Sequence, residues 1–328
     1  MFKYVLLVLM FKYVLLVLAG VFLLPAHAQD WPVRPLRFVV TFPPGGTSDI
    51  VARLISERLG ARLGQPVVVE NRPGVAGILA TDIAAKAAAD GYTMLLTSVA
   101  PIAFAPATPR KLEYDPLKDF AHVAIMAATP LVFVVSNEQA AKSVAEVIAA
   151  ARAAPGKLNF SSSGNASPSH VMLERFKAST GTQITHVPYK GSAPALIDIM
   201  ANRIDGTIDT MPAVISQIRS GKMRALAVTG PRRVPQLPDV PTLAESGHAD
   251  LVATSWFGIA LPAATPPAVI QRLNREIYAV VDLPEVKARF DELSLAPVPM
   301  TAAETQRYIQ NEIERWRPVV QAAGISFQ

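Results

Sequence analysis

The stretch that decides the fold is Leu36-Arg37-Phe38-Val39-Val40-Thr41-Phe42-Pro43-Pro44-Gly45-Gly46-Thr47-Ser48-Asp49. The β-rich run from Leu36 to Phe42 predicts a strand, and the two glycines allow the backbone to reverse. Thr47, Ser48 or Asp49 is then predicted to cap a helix. The amides and dipole of a helix N-terminus favour a carboxylate or a phosphate. The stretch therefore predicts an α/β unit with an anion-binding turn.

Nucleotide binding is a poor interpretation of this turn. The loop has no lysine where a P-loop needs one, and it lacks the G-x-G-x-x-G order of a dinucleotide site. An ordinary turn between a strand and a helix, with glycines that serve geometry alone, remains an alternative at this point.

The start of the chain predicts export. Residues 1–9 recur as residues 10–18, so either Met1 or Met10 can be the true start. The apolar run that follows Lys12 is shorter than the roughly 20 residues of a membrane span, and Ala26-His27-Ala28 fits a cleavage site. We expect residues 1–28 to be a signal peptide, Gln29 to be the mature N-terminus and the protein to be periplasmic.

Composition limits the function classes. The chain has 328 residues and no cysteine, so neither a lipid attachment point nor a disulfide framework is predicted. Residues 1–28 contain Lys3 and Lys12 and no acidic residue, so their removal lowers the formal net charge from +5 to +3. That charge is too small and too scattered for a nucleic-acid-binding surface. About 300 mature residues suggest two lobes.

The strand, turn and helix pattern recurs along the mature chain. A small polar turn, Ser163–Ser169, leads into a helix that starts near His170, and Tyr189–Pro194 precedes another helix. Alternation of this kind is typical of parallel sheets flanked by helices. Ligands of open parallel sheets bind beyond the carboxyl ends of the strands. Two such edges facing each other would form a cleft for a small dianion.

Catalytic and metal chemistry is weakly indicated. The histidines show no metal-ligand spacing, so no metal and no cofactor are predicted. Ser163 and His170 lack a carboxylate that would complete a triad, which makes a hydrolase a minor alternative. Lys190 follows a strand and is either a charge partner for a ligand or a solvated side chain.

Several motifs together carry a family resemblance. They are FPPGGTSDIVAR at 42–53, ENRPG at 70–74, SGNASPSH at 163–170, VPYKGS at 187–192 and PDVPT at 238–242. In this order, over essentially the whole mature chain, the sequence resembles the substrate-binding proteins of tripartite tricarboxylate transporters, often called Bug proteins. Ala166 is a departure, since the family more often has glycine there.

The resemblance implies a periplasmic receptor, not an enzyme, that binds a small carboxylate and delivers it to the permease subunits of a tripartite transporter. The carboxylate is expected to be a dicarboxylate or a related organic anion. It also implies a monomer. A sensor that presents its ligand to a receptor kinase is an alternative. By resemblance, the ligand-binding residues are expected to be Phe42, Pro44, Gly45, Gly46, Thr47, Ser48, Asp49, Ser98, Ser163, Gly164, Asn165, Ala166, Ser167, His170 and Tyr189.

The expected fold class is α/β, a two-lobed periplasmic binding protein of the type II Venus-flytrap form, in which each lobe is a sheet flanked by helices. Residues 29–130 and 254–328 are predicted to form lobe one, and residues 131–253 lobe two. The ligand is expected to lie between them.

Overall fold

A computed structural model of the chain describes residues 31–325. The predicted signal peptide, residues 1–28, lies outside the described residues and remains a prediction. The chain divides into two compact units, and the second, Arg34–Gln328, contains every helix and strand given below.

Ten strands form the sheet in the part of the chain that the structure describes. They are β1 (Leu36–Val40), β2 (Val67–Asn71), β3 (Thr93–Ser98), β4 (Phe120–Ser136), β5 (Asn159–Ser162), β6 (Thr185–Pro188), β7 (Gly206–Thr210), β8 (Met223–Val228), β9 (Thr254–Pro262) and β10 (Ala296–Val298).

Nine α-helices flank the sheet within residues 31–325. They are α1 (Thr47–Leu63), α2 (Ile78–Ala85), α3 (Val144–Ala153), α4 (Pro168–Thr180), α5 (Ser192–Met200), α6 (Met211–Arg219), α7 (Pro267–Val281), α8 (Pro284–Glu292) and α9 (Ala302–Ala322). A buried helical segment, Ala100–Phe104, follows β3 directly, and short 3₁₀ turns complete the described elements.

The first half of the sheet has the order β2-β1-β3-β9-β4. Strand β1 is parallel to β2 and β3, whereas β9 runs antiparallel to both β3 and β4. Since β1 and β3 are parallel neighbours, their carboxyl ends lie at one edge. This edge carries the loop that starts at Thr41 and the end of β3 at Ser98.

The second half has the order β4-β7-β5-β6, in which β5 is parallel to its neighbours β7 and β6. The carboxyl ends of these three strands also lie at one edge. The edge carries the turn after β5, the segment from Tyr189 to Gly191 after β6, and Thr210 at the end of β7.

The long strand β4 belongs to both halves. It pairs with β9 from Phe120 to Pro130 and with β7 from Leu131 to Val135. Pro130, which has no amide hydrogen, is the last residue of the β9 pairing and lies opposite Thr254. The predicted lobe boundaries coincide with this change of partner. The division into lobes itself remains a prediction.

The predicted α/β class, with a curled sheet flanked by helices, is confirmed. The apolar runs 123–126 and 131–135 are parts of one strand, β4, which continues through Pro130 where its pairing partner changes. One local expectation differs from the structure. The predicted cap of α1 by Thr47, Ser48 or Asp49 was wrong, because the helix already begins at Thr47 and its N-cap is Gly46.

Candidate functional site

A small cavity lies where the carboxyl ends of the two half-sheets meet. It holds about 30 Å³ of free space, room for about two water molecules. Its wall combines both halves of the sheet and consists of Phe42, Pro43, Gly46, Thr47, Ser48, Ser98, Ser163, Pro168, Gly191, Ser192, Asp209, Thr210 and Phe257. Among the described residues that line it, Asp209 is the only charged type, and neither a lysine nor an arginine is present.

Four helices begin at this cavity, and three of them have no side-chain cap. The N-caps of α1, α5 and α6 are Gly46, Gly191 and Thr210, and none of the three accepts a capping hydrogen bond through its side chain. Only α4 is capped, by the Ser167 hydroxyl, which accepts from the His170 amide. Helix N-termini carry partial positive charge and amide donors. The cavity is therefore suited to an anion without a cationic side chain.

A buried hydroxyl in the wall points to a ligand independently of the helices. Ser98 is 1% exposed, and its Oγ has no hydrogen-bond partner within the described part of the chain. Buried polar groups are nearly always hydrogen-bonded, so an orphaned hydroxyl in a cavity wall needs an explanation. A ligand oxygen, or a water that bridges to one, would supply the missing partner.

The carboxylate of Asp49 holds the loop before α1 in place through hydrogen bonds. Its Oδ2 accepts from the Gly45 amide at 3.1 Å, and its Oδ1 accepts from Asn71 Nδ2 at 3.1 Å. Asn71 Nδ2 also donates to the Phe42 carbonyl at 3.0 Å, and Arg53 Nε donates to the Asp49 carboxylate at 3.0 Å. Gly45 has a φ of +81°, which a residue with a side chain rarely adopts. Asp49 thus fixes the glycine turn rather than capping the helix.

The charge of Asp49 is stabilised by these contacts. Burial alone would raise the pKa of this carboxyl, but the hydrogen bonds from Arg53, Gly45 and Asn71 outweigh burial and hold the pKa below its ordinary value. Asp49 is therefore an ionised support of the loop at neutral pH.

The turn after β5 is held by serine hydroxyls and a histidine. Ser169 Oγ accepts from the Ser163 amide at 2.9 Å and lies 3.1 Å from Ser163 Oγ and 2.9 Å from Ser167 Oγ. His170 Nδ1 accepts from the Ala166 amide at 2.9 Å, which supports Ala166 at its positive φ of +57°. The Ser163 hydroxyl is thus paired with Ser169, and His170 with Ala166, so the Ser163–His170 pair of the hydrolase alternative is not assembled.

His170 also belongs to a cluster of metal-ligand residue types. Among residues 31–325, His170, Glu174 and His186 bring one ligand atom each within 4.8 Å of one another. However, the imidazole rings of His170 and His186 are stacked, with centroids 3.9 Å apart and planes inclined by 10°. Because His170 Nδ1 accepts a hydrogen bond, its proton is assigned to Nε2, the nitrogen 3.6 Å from Glu174 Oε1. A protonated nitrogen is a donor and not a ligand, which argues against a metal here.

A larger cavity of about 530 Å³ lies beside the small one. The two cavities share four wall residues, Phe42, Pro43, Ser163 and Gly191. The remaining wall of the larger cavity includes Asn165, Tyr189 and Lys190 from one half-sheet and the segment from Pro73 to Gly77 from the other. Tyr189 Oη donates to Asp198 Oδ2 at 2.7 Å. The larger cavity therefore offers amide, hydroxyl and ammonium groups to whatever extends from the small one.

The expected ligand-binding residues fall into three groups in the structure. Phe42, Gly46, Thr47, Ser48, Ser98 and Ser163 line the small cavity. Asn165 and Tyr189 line the larger one, together with Phe42 and Ser163. The rest support these walls without lining either cavity: Pro44, Gly45, Asp49, Gly164, Ala166, Ser167 and His170.

Sequence reasoning did not select several wall residues. They are Pro43, Pro168, Gly191, Ser192, Asp209, Thr210 and Phe257. The segments 189–192 and 209–212 repeat the order of strand end, small or polar residue and helix start. This pattern was the available signal for Ser192 and Thr210, whereas nothing local to the sequence marks Phe257.

The two half-sheets are in contact at this site. Gly191 has a φ of +108°, and a Cβ at this position would lie 3.2 Å from Pro43 Cγ on the facing loop. Only a residue without a side chain permits this approach without displacement.

None of the helices within residues 31–325 combines the length and the apolar character that crossing a membrane requires.

Comparison with known proteins finds a matching family profile and similar proteins. The profile of the tripartite tricarboxylate transporter family receptor matches residues 51–325. Protein BugT of Bordetella pertussis (strain Tohama I) is 40% identical over 301 residues, which cover 92% of each chain.

Two similar solved structures are R. palustris Rpa4515 with adipate and MatC (Rpa3494) from Rhodopseudomonas palustris with bound malate. The first is 38% identical, with a TM-score of 0.87 over 90% of this chain and 99% of that one. The second is 30% identical, with a TM-score of 0.84 over 88% and 100% of the respective chains.

Proposed function

Because the chain belongs to the tripartite tricarboxylate transporter receptor family, a family of solute-binding receptors rather than enzymes, we propose that it is a periplasmic receptor for a small carboxylate. The ligand is captured between the two half-sheets and delivered to the permease subunits of a tripartite transporter. The observation that carries the proposal is the convergence of three uncapped helix N-termini on a cavity whose described wall has no cationic side chain.

The first carboxylate occupies the small cavity. The amides at the start of α1, from Gly46 to Ser48, and the orphaned Ser98 hydroxyl supply donors to it. Donors of this kind are strengthened by the negative charge of the acceptor. The space of about 30 Å³ suits a carboxylate group but not the body of a ligand.

The ligand body continues into the larger cavity. Phe42 and Pro43 form the shared wall, and Asn165 is placed to receive a second polar or anionic end, with Lys190 in the same wall as an accessory only. A dicarboxylate fits this arrangement better than a monocarboxylate. Two similar proteins have structures with adipate and with malate, which supports the same ligand class.

Binding is proposed to close lobe one, residues 29–130 and 254–328, on lobe two, residues 131–253. A ligand that touches both lobes favours the closed state by its additional contacts. The pairing of Pro130 with Thr254, at the point where β4 changes its partner, supports a hinge there. We propose that the receptor acts as a monomer, since each chain contributes both walls of its own cleft.

A thermal-shift screen followed by calorimetry tests the function. The screen uses succinate, malate, glutarate and adipate, with the corresponding diamides as uncharged controls. A true ligand at 100 times its Kd stabilises the fold by roughly 2.7 kcal/mol. Stabilisation by at least one acid, without stabilisation by the diamide of that acid, supports the proposal. Equal shifts with acid and diamide would contradict it.

Delivery to a permease has its own test. Crosslinking in cells that contain the transporter, with and without the ligand, is expected to capture membrane permease subunits. Capture of a receptor kinase instead would favour the sensor alternative.

A further inference from the structure

The small cavity contains one group that does not suit an anionic ligand. Asp209 is 4% exposed and lines the cavity directly before the start of α6. Its Oδ2 accepts from Ser192 Oγ at 2.7 Å, while its Oδ1 accepts from the Thr210 amide at 2.7 Å and from Thr210 Oγ1 at 3.3 Å. An ionised Asp209 would thus share the same helix N-termini with a bound carboxylate.

No cation among the described residues neutralises Asp209. The charged and titratable side chains on the elements around it include His170 and Glu174 of α4, Asp198 of α5, Arg219 of α6, and Asp49 and Arg53 of α1. Those with partners pair elsewhere, His170 with Glu174, Asp198 with Arg203 and Asp49 with Arg53. Burial raises the pKa of Asp209, although hydrogen bonds from Ser192 and Thr210 partly oppose that rise.

The Ser192 hydroxyl has only one proton to give. While Asp209 is ionised, Ser192 Oγ donates that proton to Oδ2 and presents only lone pairs to the cavity that it lines. Lone pairs repel a carboxylate oxygen. When Asp209 Oδ2 carries a proton, it can donate to Ser192 Oγ, and the Ser192 proton is then free to point into the cavity.

Two carboxylates in one enclosed site do not both remain ionised easily. A like charge nearby disfavours ionisation, so the arrival of a ligand carboxylate makes Asp209 harder to deprotonate. Reciprocally, a protonated Asp209 must bind the anion more tightly than an ionised one does.

We propose that Asp209 is a specificity-determining residue that couples carboxylate capture to the uptake of one proton from solvent, which Asp209 Oδ2 holds while Ser192 Oγ donates to the ligand. This inference rests on the proposed function, since it concerns the same cavity. It makes the receptor a proton-linked one, in which a neutral pair, acid and hydroxyl, replaces the cation that a carboxylate site often contains.

The test is calorimetry with the tightest-binding member of succinate, malate, glutarate and adipate. Titrations in HEPES and in Tris at the same pH differ in heat by the number of protons taken up multiplied by the difference between the ionisation enthalpies of the two buffers. They are run from about pH 7 to about pH 9, where these acids are ionised and most imidazoles are neutral. The wild type is expected to take up close to one proton per ligand above the pKa of Asp209, with an affinity that falls by up to about tenfold per pH unit.

Three variants complete the design. Asp209→Asn, whose amide can donate to Ser192 Oγ, is expected to bind at least as tightly as the wild type at about pH 8, without proton uptake. Ser192→Ala is expected to lose affinity at every pH. Asp282→Asn removes an exposed carboxylate that pairs with Lys287 far from the cavity, and it is expected to behave as the wild type. If Asp209→Asn does not fold, the proton uptake of the wild type and the affinity of Ser192→Ala still test the inference.

The outcomes separate this inference from the function. Carboxylate binding with no proton uptake and a flat pH profile would overturn the inference and leave the receptor function standing. Proton uptake that persists in Asp209→Asn would also overturn it. If no carboxylate binds to any form, the proposed function and the inference fail together.

Discussion

Thr47 Oγ1 lies 2.7 Å from Thr210 Oγ1, and this hydrogen bond joins the first turn of α1 to the end of β7. The two hydroxyls belong to different half-sheets and are both buried. Thr210 Oγ1 also lies 3.3 Å from Asp209 Oδ1, so the bond continues to the buried carboxyl. A direct polar contact thus joins the two half-sheets beside the cavity that is proposed to receive the ligand.

The variant Thr47→Val tests this contact. It keeps the shape of the side chain and removes the hydroxyl, so the net loss is about 0.5–1.5 kcal/mol, or roughly twofold to tenfold in affinity. Calorimetry with the tightest-binding carboxylate measures it. The matched control is Thr182→Val, which breaks a buried bond of 2.8 Å between Thr180 and Thr182 away from the cleft. The control should unfold at a lower temperature than the wild type and bind the carboxylate with unchanged affinity. An equal loss of affinity in both variants would refute the cross-cleft role.

The variant Gly191→Ala should impair closure. Its Cβ would lie 3.2 Å from Pro43 Cγ, and its φ of +108° is unfavourable for alanine. We expect affinity to fall by about tenfold because the facing loop must shift, a cost of about 1.4 kcal/mol. Gly181→Ala is the control, since Gly181 also has a positive φ, +61°, but no atom within 4 Å of its Cβ position. The control should lose about 1–2 kcal/mol of stability and no affinity. Unchanged binding by Gly191→Ala would count against close contact in the bound state.

The variant Asp49→Asn should loosen the glycine loop. Because hydrogen bonds lower the folded-state pKa of Asp49, its contribution to stability is present above the unfolded-state pKa near 3.8 and is lost as the pH falls through the lower folded-state pKa. At neutral pH the variant is expected to lose about 1.5–3 kcal/mol of unfolding free energy, the range for hydrogen bonds to charged groups. Urea unfolding of both proteins at several pH values checks this. A difference that is as large below that window as at neutral pH would show that charge is not the cause.

The mature protein should begin at Gln29. The Ala26-His27-Ala28 pattern motivates this expectation, and the two possible starts, Met1 and Met10, both lie within the removed segment. Intact-mass measurement of periplasmic material decides it. Retention of Lys12 in the mature mass would contradict the predicted cleavage.

The sequence predicted the order of strands, turns and helices around the cavity better than the contacts between side chains there. The order of strand, glycine turn and helix at residues 36–49 predicted a helix start directly after the glycines, and α1 begins there, because local propensity and turn chemistry act within a few residues. Ser98 was expected by resemblance, and it lines the cavity. In contrast, part of the loop-holding role of Asp49 depends on β2, which brings Asn71 beside it. Such a role depends on strand pairing, which the local pattern does not reveal.

Two of the wall residues that sequence reasoning missed share one physical cause. Asp209 and Phe257 lie on β7 and β9, and they reach the cavity only because β4 pairs with β9 along one part and with β7 along another. A segment of alternating apolar residues predicts a strand but not its neighbours. Likewise, tertiary packing buries residues Pro101 to Phe104 as a helical segment against α9, which their local sequence does not reveal.

Backbone amides and hydroxyls, rather than a cation, are proposed to hold the anionic ends of the ligand. The most direct measurement is calorimetry on the tightest-binding dicarboxylate and on its mono-amide, with wild type and Lys190→Ala. The mono-amide is expected to bind about tenfold to a hundredfold more weakly, since each lost charge-assisted hydrogen bond costs on the order of 1.5–3 kcal/mol. Lys190→Ala should lose less affinity than that. Equal affinities for acid and mono-amide, or a larger loss in Lys190→Ala, would contradict the claim.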